Sequence, residues 1–123
     1  MDIGKRKDDY VFYEGYEGEK EIIISLPDIA YHIWDGYFDD IFGNPQSTEN
    51  GWIGFTRDYN EFINAFEEEC IECAIEPEEY LRDLMLYQNQ TFSYKETADV
   101  LNCLNIIMTE SKEKNMCVLV SVN

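Results

Sequence analysis

Ile29-Ala-Tyr-His-Ile-Trp-Asp-Gly-Tyr-Phe-Asp-Asp-Ile-Phe42 is the stretch whose period sets the architecture of this chain. Ile29, Ile33, Tyr37 and Ile41 recur every four residues, and Ala30, Trp34, Phe38 and Phe42 repeat the pattern one place on. At 100° per residue this spacing predicts a helix over 29–42. Its eight apolar positions cover well over half the circumference, wider than a single buried stripe requires. The helix is therefore expected to be central, or to turn part of its aromatic side to a partner. Asp28, His32, Asp35 and Asp39 fall on the remaining polar face, and Gly43-Asn-Pro45 ends the helix.

Upstream, Glu21-Ile-Ile-Ile-Ser-Leu26 is short and β-branched and stops at Pro27, which predicts a strand. Tyr10–Tyr16 mixes aromatics with acids and precedes a turn at Tyr16–Glu19, so the two segments suggest a hairpin. Downstream, Gln46–Gly51 reads as a polar loop and Gly51–Phe55 as a short strand or extended loop. Asp58, with Glu61 as capping-box partner, predicts a helix through Ile75. Pro77 followed by Glu78 and Glu79 marks the first turn of another, with Leu81, Leu84 and Met85 as its buried stripe. Ser93-Tyr-Lys-Glu96 is a further capping box, opening a helix to about Lys112 whose core face is Ala98, Leu101, Leu104 and Met108. Met116–Val122 closes the chain as a strand pairing with Glu21–Leu26. The expected fold is α+β: one mostly helical domain over residues 1–123, about four helices with a small antiparallel sheet. A wholly helical fold is the alternative.

Charge is the other strong signal. Asp and Glu number 26 against 9 Lys and Arg, a formal net charge of −17. From Glu21 to Tyr94 sixteen acids face only Arg57 and Arg82. Self-repulsion of this size lowers the stability of a compact chain. With 45% hydrophobic and 15% aromatic residues the composition is nevertheless that of a folded domain, since disorder goes with few aromatics. The charged N-terminus lacks the apolar run of a secretory signal, and no stretch approaches the ~20 apolar residues that span a bilayer. Cys70, Cys73, Cys103 and Cys117 are too sparse for a disulfide scaffold, and a soluble, reducing, cytoplasmic protein is expected.

Candidate chemistry is thin. Cys70-Ile-Glu-Cys73 lacks the second ligand pair a structural zinc needs, and both cysteines share an apolar arc with Phe62 and Phe66, which reads as packing. His32, the one histidine, is expected at the surface among carboxylates, with no nucleophile marked beside it. No calcium-loop or phosphate-binding glycine pattern is present. Phosphate contacts need a basic surface, so direct nucleic-acid binding is disfavoured. The expectation is no enzyme, no metal, no cofactor and no membrane association.

What remains is an acidic surface interleaved with tyrosine and tryptophan. Aromatic anchors concentrate binding energy, and a focused field speeds capture of a cationic partner. In this combination, and in Gly51-Trp-Ile-Gly-Phe-Thr-Arg-Asp-Tyr-Asn-Glu-Phe62 with its Glu67-Glu-Glu69 sequel, the chain resembles an immunity protein of the contact-dependent growth inhibition or polymorphic-toxin systems of bacteria. The resemblance implies a cognate basic toxin domain, often a nuclease, whose active site is occupied or occluded; no functional residue carries over from it. From the residues themselves the contact surface is expected at Asp35, Asp39 and Asp40 with Trp34 and Tyr37. The ridge Glu61, Glu68 and Glu72 is the other candidate. A nucleic-acid mimic of anti-restriction or anti-CRISPR type, or a small-ligand or metal-binding regulatory domain, are the competing readings.

Overall fold

The computed structural model describes residues 7–49, 51–63, 70–71, 77–115 and 118–122. In chain order these form β1 (Lys7–Phe12), β2 (Glu21–Ser25), β3 (Ile29–Trp34), α1 (Asp35–Phe42), α2 (Gly54–Asp58), a π-helical turn (Tyr59–Ile63), β4 (Cys70–Ile71), α3 (Pro77–Met85), α4 (Thr97–Lys114) and β5 (Leu119–Val122). The class is α+β, with one mixed sheet in the order β1-β3-β2-β5-β4.

The 29–42 stretch is not one helix. It is strand as far as Trp34 and helix from Asp35. The reason lies in the period itself: a four-residue repeat puts its members on one face of a helix and equally on one face of a strand. Two neighbours decide the outcome. Pro27-Asp28 makes a turn tight enough for the Leu26 amide to donate to the Ile29 carbonyl at 2.8 Å, and β2 then zips antiparallel onto β3 from Ser25↔Ala30 to Glu21↔Trp34.

Three of the four strand pairings are antiparallel, including β2 with β5 as the terminal segment predicts. The fourth, β1 beside β3, is parallel, so Tyr10–Tyr16 does not form a hairpin with Glu21–Leu26. The intervening loop is instead tied to itself, with the Tyr13 hydroxyl donating to the Glu19 carbonyl.

One sheet face carries Ile22, Ile24, Ile33 and Val120, each without solvent exposure, and the helices pack on it through Phe38, Ile41, Leu104 and Ile107. Burying a side chain such as Phe38 contributes about 1.5–3 kcal/mol. Leu101, Leu104 and Met108 are buried on α4 as expected, but Ala98 is exposed. On α3, Leu84 is buried with Tyr80 and Asp83, whereas Met85 is 64% exposed.

Asp58 does not begin a helix; it ends α2, which starts at Gly54. The cap comes from α3. The Thr56 amide donates to Asp83 Oδ2 at 3.0 Å and the Thr56 hydroxyl to Asp83 Oδ1 at 2.5 Å. Gly54 has φ +54°, and a Cβ there would stand 2.9 Å from the Asp83 Cβ and 3.1 Å from the Tyr80 Cα, so α3 closes onto it only because it is glycine. The helix expected through Ile75 is overturned at Cys70–Ile71, which form β4 against β5. Cys73 and the 64–69 and 72–76 segments lie outside the described residues.

Candidate interface at the strand-to-helix junction

Trp34 stands where β3 becomes α1, with φ −59° and ψ 133°. Its indole stacks on Tyr16 from the β1–β2 loop, centroids 3.9 Å apart and planes 4° from parallel. Its Nε1–H donates to Glu19 Oε1 at 3.1 Å. The benzo ring lies over Gly36, where a Cβ would come within 2.3–2.5 Å of Cη2, Cζ3 and Cζ2. Tyr37 and Tyr94 meet the indole edge-on, each at 5.2 Å. Tyr37 is buried, Trp34 and Tyr16 are half-buried, and Tyr94 remains 42% exposed. Such edge and stacked pairs contribute about 0.5–1.5 kcal/mol each beyond area burial.

Around this aromatic knot the chain is acidic. The three segments that build it, 13–20, 34–40 and 93–97, hold seven carboxylates against Lys20 and Lys95. Glu14, Glu17, Glu19, Asp39 and Glu96 are exposed. Burial raises the Tyr37 phenol well above its ordinary pKa, helped by Tyr16, Glu96 and Tyr94. Burial likewise raises Asp35, against the opposing pull of Lys20 and of the Tyr59 hydroxyl, which donates to Asp35 at 3.2 Å and to Asp39 at 3.4 Å.

Asp40 has a different position. Its Oδ1 accepts the Ser93 amide at 2.9 Å; its Oδ2 accepts the Tyr94 amide at 3.0 Å and the Thr97 hydroxyl at 2.6 Å. Burial pushes this carboxyl up, but the three donors outweigh it and hold the group below its usual value. The Ser93–Glu96 capping box is therefore replaced: α4 has no side-chain cap, and the loop before it is clamped from α1.

Of the expected contact residues Trp34, Asp35, Tyr37, Asp39 and Asp40, Trp34 is strand and not helix, Tyr37 is buried and Asp40 turns inward to the 93–97 loop, while Asp39 is exposed. Glu61 is exposed on the π-helical turn, and Glu68 and Glu72 lie outside the described residues. Tyr16, Glu19, Tyr94 and Glu96 complete the surface; the sequence marks them only as parts of a turn and of a capping box, not as contact residues. Their loops reach Trp34 from opposite ends of the chain, and the mixed aromatic and acidic character of Tyr10–Tyr16 is the only local sign of it.

His32 is buried in the sheet and not on the surface. Its Nδ1 lies 3.0 Å from Glu21 Oε2, its Nε2 lies 2.9 Å from Asp8 Oδ1, and Tyr10 stacks on the ring at 4.1 Å. With both nitrogens engaged by carboxylates, the ring ties β1, β3 and β2 together, and neither nitrogen is left to activate a nucleophile. The second polar centre, Asp58 and Asp83 with Thr56, Tyr80 and Tyr87, is fully hydrogen-bonded and serves the α2–α3 contact. Cys103 is a half-buried free thiol whose pKa burial raises to about 11, an inert state. Among the described residues no group of three or more His, Cys, Asp or Glu is arranged to hold a metal, and no helix is long and apolar enough to cross a membrane. No family model, curated protein or solved structure matches the chain.

Proposed function

We propose that this protein is a non-enzymatic inhibitor that captures a basic protein domain and neutralises it by occupying or occluding its active site, in the manner of a toxin's immunity protein. The observation that carries this reading is the aromatic knot at Trp34: a tyrosine 42% exposed at its surface, braced from three segments that carry exposed carboxylates. Aromatic side chains in a rigid setting give affinity, and the acidic rim gives rapid encounter. A nuclease is the favoured target class, because such an enzyme presents Lys and Arg to phosphate and an acidic face competes for them. The cytoplasm, where a toxin would act, is the proposed location.

The test is kinetic. The partner recovered on the tagged chain from its own cells is purified, and its association is followed at rising ionic strength. From about 50 to about 500 mM salt the association rate is expected to fall roughly tenfold while dissociation changes less than about threefold. Inhibition of the partner's activity at one-to-one stoichiometry is the second expected result. An association rate indifferent to salt, or a partner left fully active, would overturn the proposal.

A further inference from the structure

Resting on that reading, we infer that the exposed part of the knot is a receptor for arginine side chains of the partner, with Tyr94 as the contact ring and Asp40 as the residue that positions it. Three observations lead there. Tyr94 leaves 42% of its surface in water although its ring is fixed roughly perpendicular to Trp34 at 5.2 Å and to Tyr37 at 5.9 Å. The loop that carries it is held by three hydrogen bonds to a single carboxylate on another helix, so the ring is presented without the entropy cost of ordering a loop on binding. Exposed Glu96 follows it in the same loop, and Glu19 is joined to the indole beside it.

An exposed aromatic ring in a loop that also carries an exposed carboxylate suits a planar guanidinium better than an ammonium. The guanidinium stacks while its N–H fork reaches the carboxylate, and it is the more weakly hydrated of the two cations. A second copy of this chain is a poor occupant, because both surfaces would carry the same strong negative charge. A purely apolar segment would leave the acidic rim desolvated and unpaired.

The experiment uses the full chain with Trp52→Phe, so that fluorescence reports Trp34 alone. Capped pentapeptides of glycine with two arginines, two lysines or two citrullines are titrated in. The arginine peptide is expected to saturate the signal at least about fivefold more tightly than the lysine peptide, with citrulline inert. Tyr94→Ala should abolish that preference and Tyr94→Phe should keep it. Asp40→Ala should reduce the arginine-to-lysine ratio toward one, while its thermal transition shows the chain still folded. A purely structural role for Asp40 would lower stability and leave the ratio intact. Equal affinity for arginine and lysine peptides, or a preference that survives Tyr94→Ala, would overturn the inference. If the recovered partner still binds in that case, the inhibitor reading stands and only the arginine receptor falls; if the partner's association is also indifferent to salt, both fall.

Discussion

Gly36→Ala separates two effects that oppose each other. Alanine in place of glycine inside an exposed helix stabilises it by about 1 kcal/mol. Here the new Cβ would lie 2.3–2.5 Å from three ring carbons of Trp34, well inside the ~3.5–4.0 Å at which carbon atoms sit comfortably. The indole cannot retreat, because Tyr16 is stacked on it at 3.9 Å. It has to swing out to solvent, giving up its Tyr16, Tyr37 and Tyr94 contacts at roughly 0.5–1.5 kcal/mol each, together with the hydrogen bond to Glu19. The net expectation is a loss of about 1–5 kcal/mol. At roughly 4 °C per kcal/mol for a domain of this size, that is a fall in Tm of about 4–20 °C. Urea denaturation gives the free energy, and Trp34 emission in the Trp52→Phe background should shift to the red. A stabilised variant with unshifted emission would show that the indole does not rest on Gly36, and the described knot would be wrong.

Asp40→Ala should cost about 2–4 kcal/mol, since it strips the Ser93 and Tyr94 amides and the Thr97 hydroxyl of one shared acceptor, and hydrogen exchange of those two amides should accelerate; unaltered exchange would deny the clamp. Stability should peak on the acid side of neutrality. Burial raises Asp83 to about 6 and also raises Asp58 and Asp35, so the folded state binds these protons before the unfolded state does. Their contribution grows as pH falls from 7 toward about 4, by up to about 3 kcal/mol for Asp83, in the same direction as relief of the net charge. Asp40, whose pKa is lowered, contributes above about pH 4 and loses that contribution as pH falls through its depressed value, which closes the window on the acid side. A Tm that fell steadily from pH 7 to pH 5 would contradict this ordering. His32→Ala should release β1 by removing the link to Asp8 and the stacking with Tyr10, seen as faster exchange confined to residues 7–12 and their β3 partners. Replacing Asp39, Glu19 and Glu96 together by their amides should slow capture of the partner about tenfold with little change in dissociation; an unchanged association rate would remove the rim from the interface.

Local signals were legible where one element explained them. Pro77 with its acidic sequel opens α3, the β-branched Glu21–Leu26 run is β2, and the terminal segment pairs with it. The failures share a cause. A repeat of four serves a strand as well as a helix, so Ile29–Trp34 was decided by the tight Pro27-Asp28 turn and by pairing with β1 and β2, not by its own period. Asp58 has the composition of a cap but lies at the end of α2, whose first turn Asp83, from another helix, already caps at Thr56. The acids of α1 could be placed near Trp34 from spacing alone. That Asp40 would turn inward to hold a loop more than fifty residues away could not, nor could the arrival of Tyr16 and Tyr94 on one indole.

Hydrogen exchange of the protein with and without its recovered partner tests the account most directly. If the junction of β3 and α1 is the docking surface, protection on binding will gather in residues 13–20, 34–40 and 93–97, and will diminish when Tyr94 is replaced by alanine. Protection gathered instead on the outer face of α4, around Ile106 and Glu113, with those three segments exchanging as in the unbound protein, would contradict it.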